Sequence, residues 1–236
     1  MFREDLESRE EEIIRTLSSL PRGFVLIGGY AISALSAHRF SVDCDILVSR
    51  KDLREFRNQL RRERYSKKKS TTGFDKIYGG SVEIYTKKIK SGGVSVDLFV
   101  DSVTARKTGA TWSYEYIKNN SNQTTISTIR GSASVLVPSK ELLMAMKIHS
   151  GRDTDMRDIV MLSEDIDWKS AAKHTARGEK EIVLSILTDI ISKMADQRFG
   201  SSLRAAFELR SRVEPLVSAC RARLSELRTL IESVDD

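Results

Sequence analysis

The residues of this chain best suited to chemistry are two aspartates one residue apart, Asp43 and Asp45 in the run VDCDILV. On an extended strand, residues two apart share a face, so both carboxylates project together while Cys44 points the other way. Two like charges held a few ångströms apart repel, and without a partner one of them has its pKa pushed up. A divalent cation relieves that conflict. Magnesium takes oxygen ligands and is commonly held by one or two carboxylates together with substrate phosphates. The arrangement suits phosphoryl or nucleotidyl transfer, in which metal ions clamp the attacking and leaving oxygens. Upstream, Gly28 and Gly29 follow the apolar run FVLI and precede YAISALSAHR, which is apolar at helical intervals. A side-chain-free bend there lets backbone N–H groups approach a phosphate, and the following helix adds its N-terminal partial positive charge. Taken singly, a Gly-Gly after a strand is a tight turn and an Asp-x-Asp is a solvated face. Together, in this order and spacing, they are far more specific.

The elements that must hold these residues can be read from periodicity. Residues 3–19 form a charged helix with apolar positions at Leu6, Ile13, Ile14 and Leu17, stopped by Pro21. FVLI and VDCDILV are strands, and KDLREFRNQLRRER is a helix with Leu53, Phe56 and Leu60 on its inner face. SVEIYTKKI and VSVDLFV are strands, with Gly92 and Gly93 as punctuation between them. The stretch 110–129 holds a short strand after a polar loop. From Pro138, read as a first helical residue, the pattern turns helical to residue 232, with breaks at Gly200 and Pro215. Strands alternating with helices, then helices alone, predict an α/β (α+β) fold with a mixed sheet and a helical C-terminal region. The division falls at residues 1–137 and 138–236.

The pattern strand–Gly28–Gly29–helix–Asp43–x–Asp45 resembles the signature of the DNA polymerase beta-like nucleotidyltransferase superfamily. Within it, GGYA followed by HRFSVDCDILV is most similar to the abortive-infection (AbiEii) type nucleotidyltransferases. Arg39, Ser41, Asp43 and Asp45 stand in register with that family's Arg-x-Ser-x-Asp-x-Asp run, and Tyr30 replaces its usual threonine. The superfamily's third carboxylate lies on a later strand in a hydrophobic–Asp–hydrophobic setting. Asp97 in VSVDLFVD matches it, with Asp101 and Glu83 as further candidates. The resemblance implies that Asp43, Asp45 and Asp97 are catalytic and bind metal, two magnesium ions with manganese as the alternative, and that Asp97 is the general base. A second similarity lies in LLMAMKIHSGRDTDMRDIVML, residues 142–162. It implies that Lys147 meets the triphosphate and that Asp158 is the family's acidic position on the next helix. Gly28, Gly29, Ser41, Lys147 and Asp158 are thus the expected nucleotide-binding residues. For Asp158 a plain alternative is capping a helix or pairing with Arg152 or Arg157.

The implied reaction moves a nucleoside monophosphate from a nucleoside triphosphate to an acceptor hydroxyl and releases pyrophosphate. The implied acceptor is tRNA or another RNA, with a protein side chain or an antibiotic hydroxyl as the alternatives, and the implied setting is a toxin with a cognate antitoxin. The competing reading is a non-catalytic nucleotide- or RNA-binding module that keeps the fold. A net charge of +6 and a pI near 9.3 favour an anionic partner. The basic run RRERYSKKKS at 61–70, with Lys87, Lys88 and Lys90 beyond it, either tracks a nucleic-acid backbone or forms a solvated loop. Trp112, Tyr114 and Tyr116 alternate as in a strand, which strand packing explains better than base stacking. IVLSILTDIISKM, apolar on more than one side, fits a bundle core, a dimer contact or a substrate groove. Two cysteines are too few for a disulfide framework, and no run approaches a membrane span. A soluble, cytoplasmic protein without a membrane partner is expected.

Overall fold

The computed structural model describes residues 3–72, 78–128 and 131–233, with the side chains of 69–72 and 78–80 outside that description. The chain forms two compact units. One comprises residues 1–34, 40–103 and 112–138; the other comprises 35–39, 104–111 and 139–236. Two short segments of the first 137 residues therefore group with the C-terminal helices. No helix among the described residues is long and apolar enough to cross a membrane.

The first unit is built on a mixed sheet. In chain order its elements are α1 (Arg3–Ser19), β1 (Val25–Ile27), α2 (Gly28–Leu35), β2 (Asp43–Val48), α3 (Leu53–Arg62), β3 (Ser66–Thr72), β4 (Tyr78–Ile89), β5 (Gly92–Ala105), β6 (Thr111–Ser113), α4 (Tyr114–Asn119), β7 (Ser121–Thr128) and β8 (Gly131–Pro138). The strand order is β3-β4-β5-β2-β1-β8-β7, with β6 on β5. β2 runs parallel to β5 and antiparallel to β1, while β1 is parallel to β8. Short, nearly continuous apolar runs make the central strands: Val25, Leu26, Ile46, Leu47, Val96 and Leu98 are all fully buried. Such strands need cover, and α1 supplies Ile13, Ile14 and Leu17, while α3 supplies Leu53, Phe56 and Leu60 at helical spacing. Full burial of one side chain such as Phe56 contributes about 2–3 kcal/mol.

Several expectations change here. The basic run 61–70 spans the end of α3, the short connection 63–65 and the start of β3, and its residues 69 and 70 lie outside the described side chains. The aromatic alternation is broken by α4: Trp112 sits on β6 and Tyr114 on the helix, both buried. Pro138 ends β8. Ser139 is the helix cap, its hydroxyl accepting the Leu142 N–H at 3.3 Å, so proline's fixed φ serves the strand end instead of a first helical turn.

The second unit contains α5 (Lys140–Ser150), α6 (Asp153–Leu162), α7 (Trp168–Thr175), α8 (Lys180–Lys193), α9 (Gln197–Phe207) and α10 (Glu214–Glu232). Val183, Leu184, Leu187 and Ile190 of α8 and Val217, Cys220, Leu224 and Leu227 of α10 are buried, and the two helices pack on each other. The apolar run on α8 is thus accounted for by a bundle core. Pro215 opens α10, as proline in a first turn should. Gly200 breaks nothing and lies inside α9; the interruption falls before Asp196, which caps that helix. His149 is fully buried: its Nε2–H donates to the Thr175 carbonyl at 3.0 Å, which leaves Nδ1 to accept the Thr108 hydroxyl at 2.7 Å. Burial, outweighing the Thr175 bond, lowers the imidazole to about 4, so it is neutral at pH 7.

Candidate active site

The site of the sheet unit starts from register. Asp45 lies opposite Asp97 and Asp43 opposite Ser95 on the adjacent parallel strands β2 and β5. Paired residues of neighbouring strands share a face. Cys44 and Val96, also paired, are both fully buried on the helix-covered side, so the carboxylates project from the other side. Burial first, and then the negative field of Asp45, Asp97 and Asp43, pushes the Cys44 thiol well above its ordinary range. Ser95 donates its hydroxyl to Asp43 Oδ1 at 2.5 Å. Sequence reasoning passed over Ser95, although its spacing of two from Asp97 puts it on the same face.

Gly28 carries the closest constraint. It adopts φ +68°, and a Cβ built there would lie 2.0 Å from Asp45 Oδ2. Ile27, the residue before it, pairs with Asp45 across the antiparallel β1–β2 ladder. Glycine is therefore required both by backbone conformation and by the carboxylate that occupies the space of a side chain. Gly29 follows inside α2 and is buried. Tyr30, fully buried, donates its hydroxyl to the Ser41 carbonyl at 3.3 Å, and the Ser41 hydroxyl donates to the Asp43 carbonyl at 3.1 Å. Tyr30 thus ties α2 to the segment that leads into β2.

The competing third carboxylates have other duties. Glu83 is buried and receives Arg57, Lys67 at 2.7 Å and the Tyr85 hydroxyl at 3.1 Å. Burial alone would raise its carboxyl; the Arg57 and Lys67 hydrogen bonds and charges outweigh it and hold the group at about 2. Asp101, at φ +66°, accepts both the backbone N–H and Nε of Arg50 at 2.8 Å. Asp97 is the residue whose register matches Asp45.

Among the described residues no three His, Cys, Asp or Glu side chains form a ready-made metal cage. Magnesium does not need one, since it keeps several waters and completes its shell with substrate phosphates. The donor set is three carboxylates, all hard oxygen ligands on one sheet face, and it fits such an ion. Asp43, Asp45 and Asp97 are the residues that would hold it.

The second unit holds a separate ionic cluster. Lys147, 4% exposed, pairs with Asp155 at 2.7 Å and with Asp158 at 2.8 Å. Arg152 also binds Asp155, at 2.6 Å, while Arg39 reaches Asp158 through Nε and Nη2, both at 2.9 Å. Burial would raise the Asp155 carboxyl, but the Lys147 charge and the Arg152 hydrogen bond outweigh it and hold it at about 2. The ion-pair partners of Asp158 are Arg39 and Lys147. The two buried aspartates engage the ammonium that the sequence assigned to a triphosphate.

A mixed sheet with three carboxylates on neighbouring strands beside a glycine bend is the framework of a nucleotidyltransferase. The profile of the family described as nucleotidyl transferase AbiEii toxin, type IV toxin–antitoxin system, matches residues 13–172, and the chain belongs to that family. Among solved structures, it is similar to a candidate nucleotidyltransferase from H. pylori, at 15% identity over 100% of both chains with a TM-score of 0.46. It is also similar to JHP933 from Helicobacter pylori, at 16% identity over 98% of this chain and 93% of that one, with a TM-score of 0.42. The antibiotic-resistance factor ANT(2'')-Ia matches at 14% identity over 97% of each chain, with a TM-score of 0.37. No curated protein sequence matches the chain.

Proposed function

We propose that this nucleotidyltransferase transfers a nucleoside monophosphate from a nucleoside triphosphate to a hydroxyl on RNA, tRNA in particular, as the toxin of a pair with a cognate antitoxin. The observation that carries the reading is the pairing of Asp45 with Asp97, with Gly28 abutting Asp45. The acceptor oxygen forms a bond to the α-phosphorus as the bond to pyrophosphate breaks. Asp97 takes the hydroxyl proton. Gly28 and Gly29, at the start of α2, receive the phosphates with backbone N–H groups, and the Ser41 hydroxyl lies beside them in sequence with the acids. Magnesium bound by Asp43, Asp45 and Asp97, or manganese in its place, supplies charge neutralisation at the phosphates. Lys147 and Asp158 enter this reading as supports of α5 and α6, because each is already engaged in a buried ion pair. The family's toxin–antitoxin character and the basic composition support RNA and an antitoxin as partners.

The test is transfer of label from α-labelled nucleoside triphosphates to total tRNA with magnesium. Asp97→Asn should reduce the rate by about 100-fold or more, the scale of a lost general base. Calorimetry on the same variant should still detect triphosphate binding. A wild-type protein that binds nucleotide equally well without any divalent ion, and never labels RNA, would favour the non-catalytic module instead.

A further inference from the structure

We infer that Lys88 on β4 is the residue that receives a backbone phosphate of the RNA acceptor, which enters from the β4 side of the sheet. This rests on the proposed reaction and adds a residue that positions the acceptor for it. Glu83, Tyr85 and Lys87 of β4 face the helix-covered side. Glu83 meets Arg57 of α3, Tyr85 is buried, and Lys87 pairs with Glu12 of α1 at 2.7 Å. Alternation then puts Lys88, which is exposed, on the opposite face, the one that carries Asp45 and Asp97. Among the described residues no carboxylate pairs with it.

Its place along the strand follows from the hairpin. β4 ends at Ile89 and β5 begins at Gly92, so the turn is Lys90–Ser91. A two-residue turn sets Ile89 opposite Gly92 and Lys88 opposite Gly93. Gly93 precedes Ser95 by two residues, and Ser95 pairs with Asp43. Lys88 is therefore two strands across and two residues along from Asp43, a diagonal of about 12 Å between backbones at ordinary sheet spacings. The flexible four-carbon stem closes about half of that distance. What remains accommodates a phosphate group.

The choice of acceptor over triphosphate comes from strand order. Reading across the sheet as β4-β5-β2-β1, one meets Lys88, then Ser95 and Asp97, then Asp43 and Asp45, then the glycine bend that follows β1. The triphosphate bend and Lys88 lie on opposite flanks of the acids, and Asp97, the base, is on the Lys88 side. The floor in front of Lys88 is also bare. A Cβ at Gly93, which shares the Lys88 face, would meet nothing within 4 Å, so a polymer backbone can lie across the hairpin root.

The experiment measures binding of fluorescently labelled tRNA by the intact protein over a salt series, and in parallel the KM for tRNA in the labelling assay. Lys88→Ala should weaken tRNA binding 5- to 10-fold and flatten the log–log salt dependence by about 0.7–0.9, the loss of one phosphate contact. Lys88→Arg should restore both, and nucleotide affinity by calorimetry should not change. Lys90→Ala, two residues further on in the turn and beside the cavity on the α1 side of the hairpin, is the control and should have less than half the effect. An unchanged salt slope in Lys88→Ala, an equal loss in Lys90→Ala, or a loss confined to nucleotide affinity overturns the inference. Because the binding arm needs no turnover, absence of label transfer in the wild type would count against the proposed reaction and leave the Lys88 result readable.

Discussion

Replacing Gly28 by alanine probes the most tightly specified contact of the site. The new Cβ would stand 2.0 Å from Asp45 Oδ2, whereas real Cβ contacts essentially never fall under 3.0 Å. The carboxylate must therefore retreat by about 1 Å, a displacement that can cost about 100-fold in rate when it affects a catalytic constellation. Alanine must also hold φ +68°, a left-handed conformation that costs a residue with a Cβ about 1–2 kcal/mol. For a chain of this size that corresponds to a fall in Tm of roughly 2–8 °C. The stability loss is small enough to leave the variant folded, so activity and stability separate cleanly. The assays are label transfer to tRNA under saturating triphosphate and a thermal melt on the same preparation. A Gly28→Ala protein that melts within this range yet turns over within about threefold of wild type would refute the argument, because Asp45 could then move about 1 Å without consequence.

Lys147→Met removes one of the two cations at each of Asp155 and Asp158, which keep Arg152 and Arg39, so the cost falls below the about 3–5 kcal/mol of a buried charge left with no partner and is read as a drop in Tm. If Lys147 is a support, triphosphate affinity of the folded variant stays within twofold; a tenfold loss would reinstate it as a phosphate ligand. His149 is held neutral, its folded pKa of about 4 lying below the ordinary 6.5, so the folded state binds fewer protons than the unfolded one. Its contribution is complete above pH 6.5 and is lost as pH falls towards 4, an effect of order 3 kcal/mol. Chemical denaturation across that window should show a shallower acid decline in His149→Gln than in the wild type.

Much of the sheet unit could be read from the chain because its signals are local. The period of two in VDCDILV and VSVDLFV set which side chains share a face, and the spacing of Leu53, Phe56 and Leu60 set the inner side of α3. β7 was blurred because SNQTTIST is polar throughout and its pairing with β8 is visible only in three dimensions. Pro138 misled because a fixed φ suits a strand end as well as a helix start. The ion pair of Arg39 with Asp158 joins residues 119 apart in sequence, and no periodicity reports such a partner. Lys147 shows the same limit: a helix ending in lysine reads the same whether the ammonium meets solvent, substrate or a buried aspartate.

Arg39 is followed two residues later by Ser41 and four later by Asp43, yet its guanidinium is secured on α6, by an aspartate encoded far downstream. The signature run is therefore not self-contained. Its first residue groups with the helical unit and its acids with the sheet. Transplanting the run alone into a related scaffold would import an arginine without Asp158, and cutting the chain at residue 137 would remove the same carboxylate. Heredity must treat the two stretches as one character, so a drift at Asp158 calls for a matching change at Arg39.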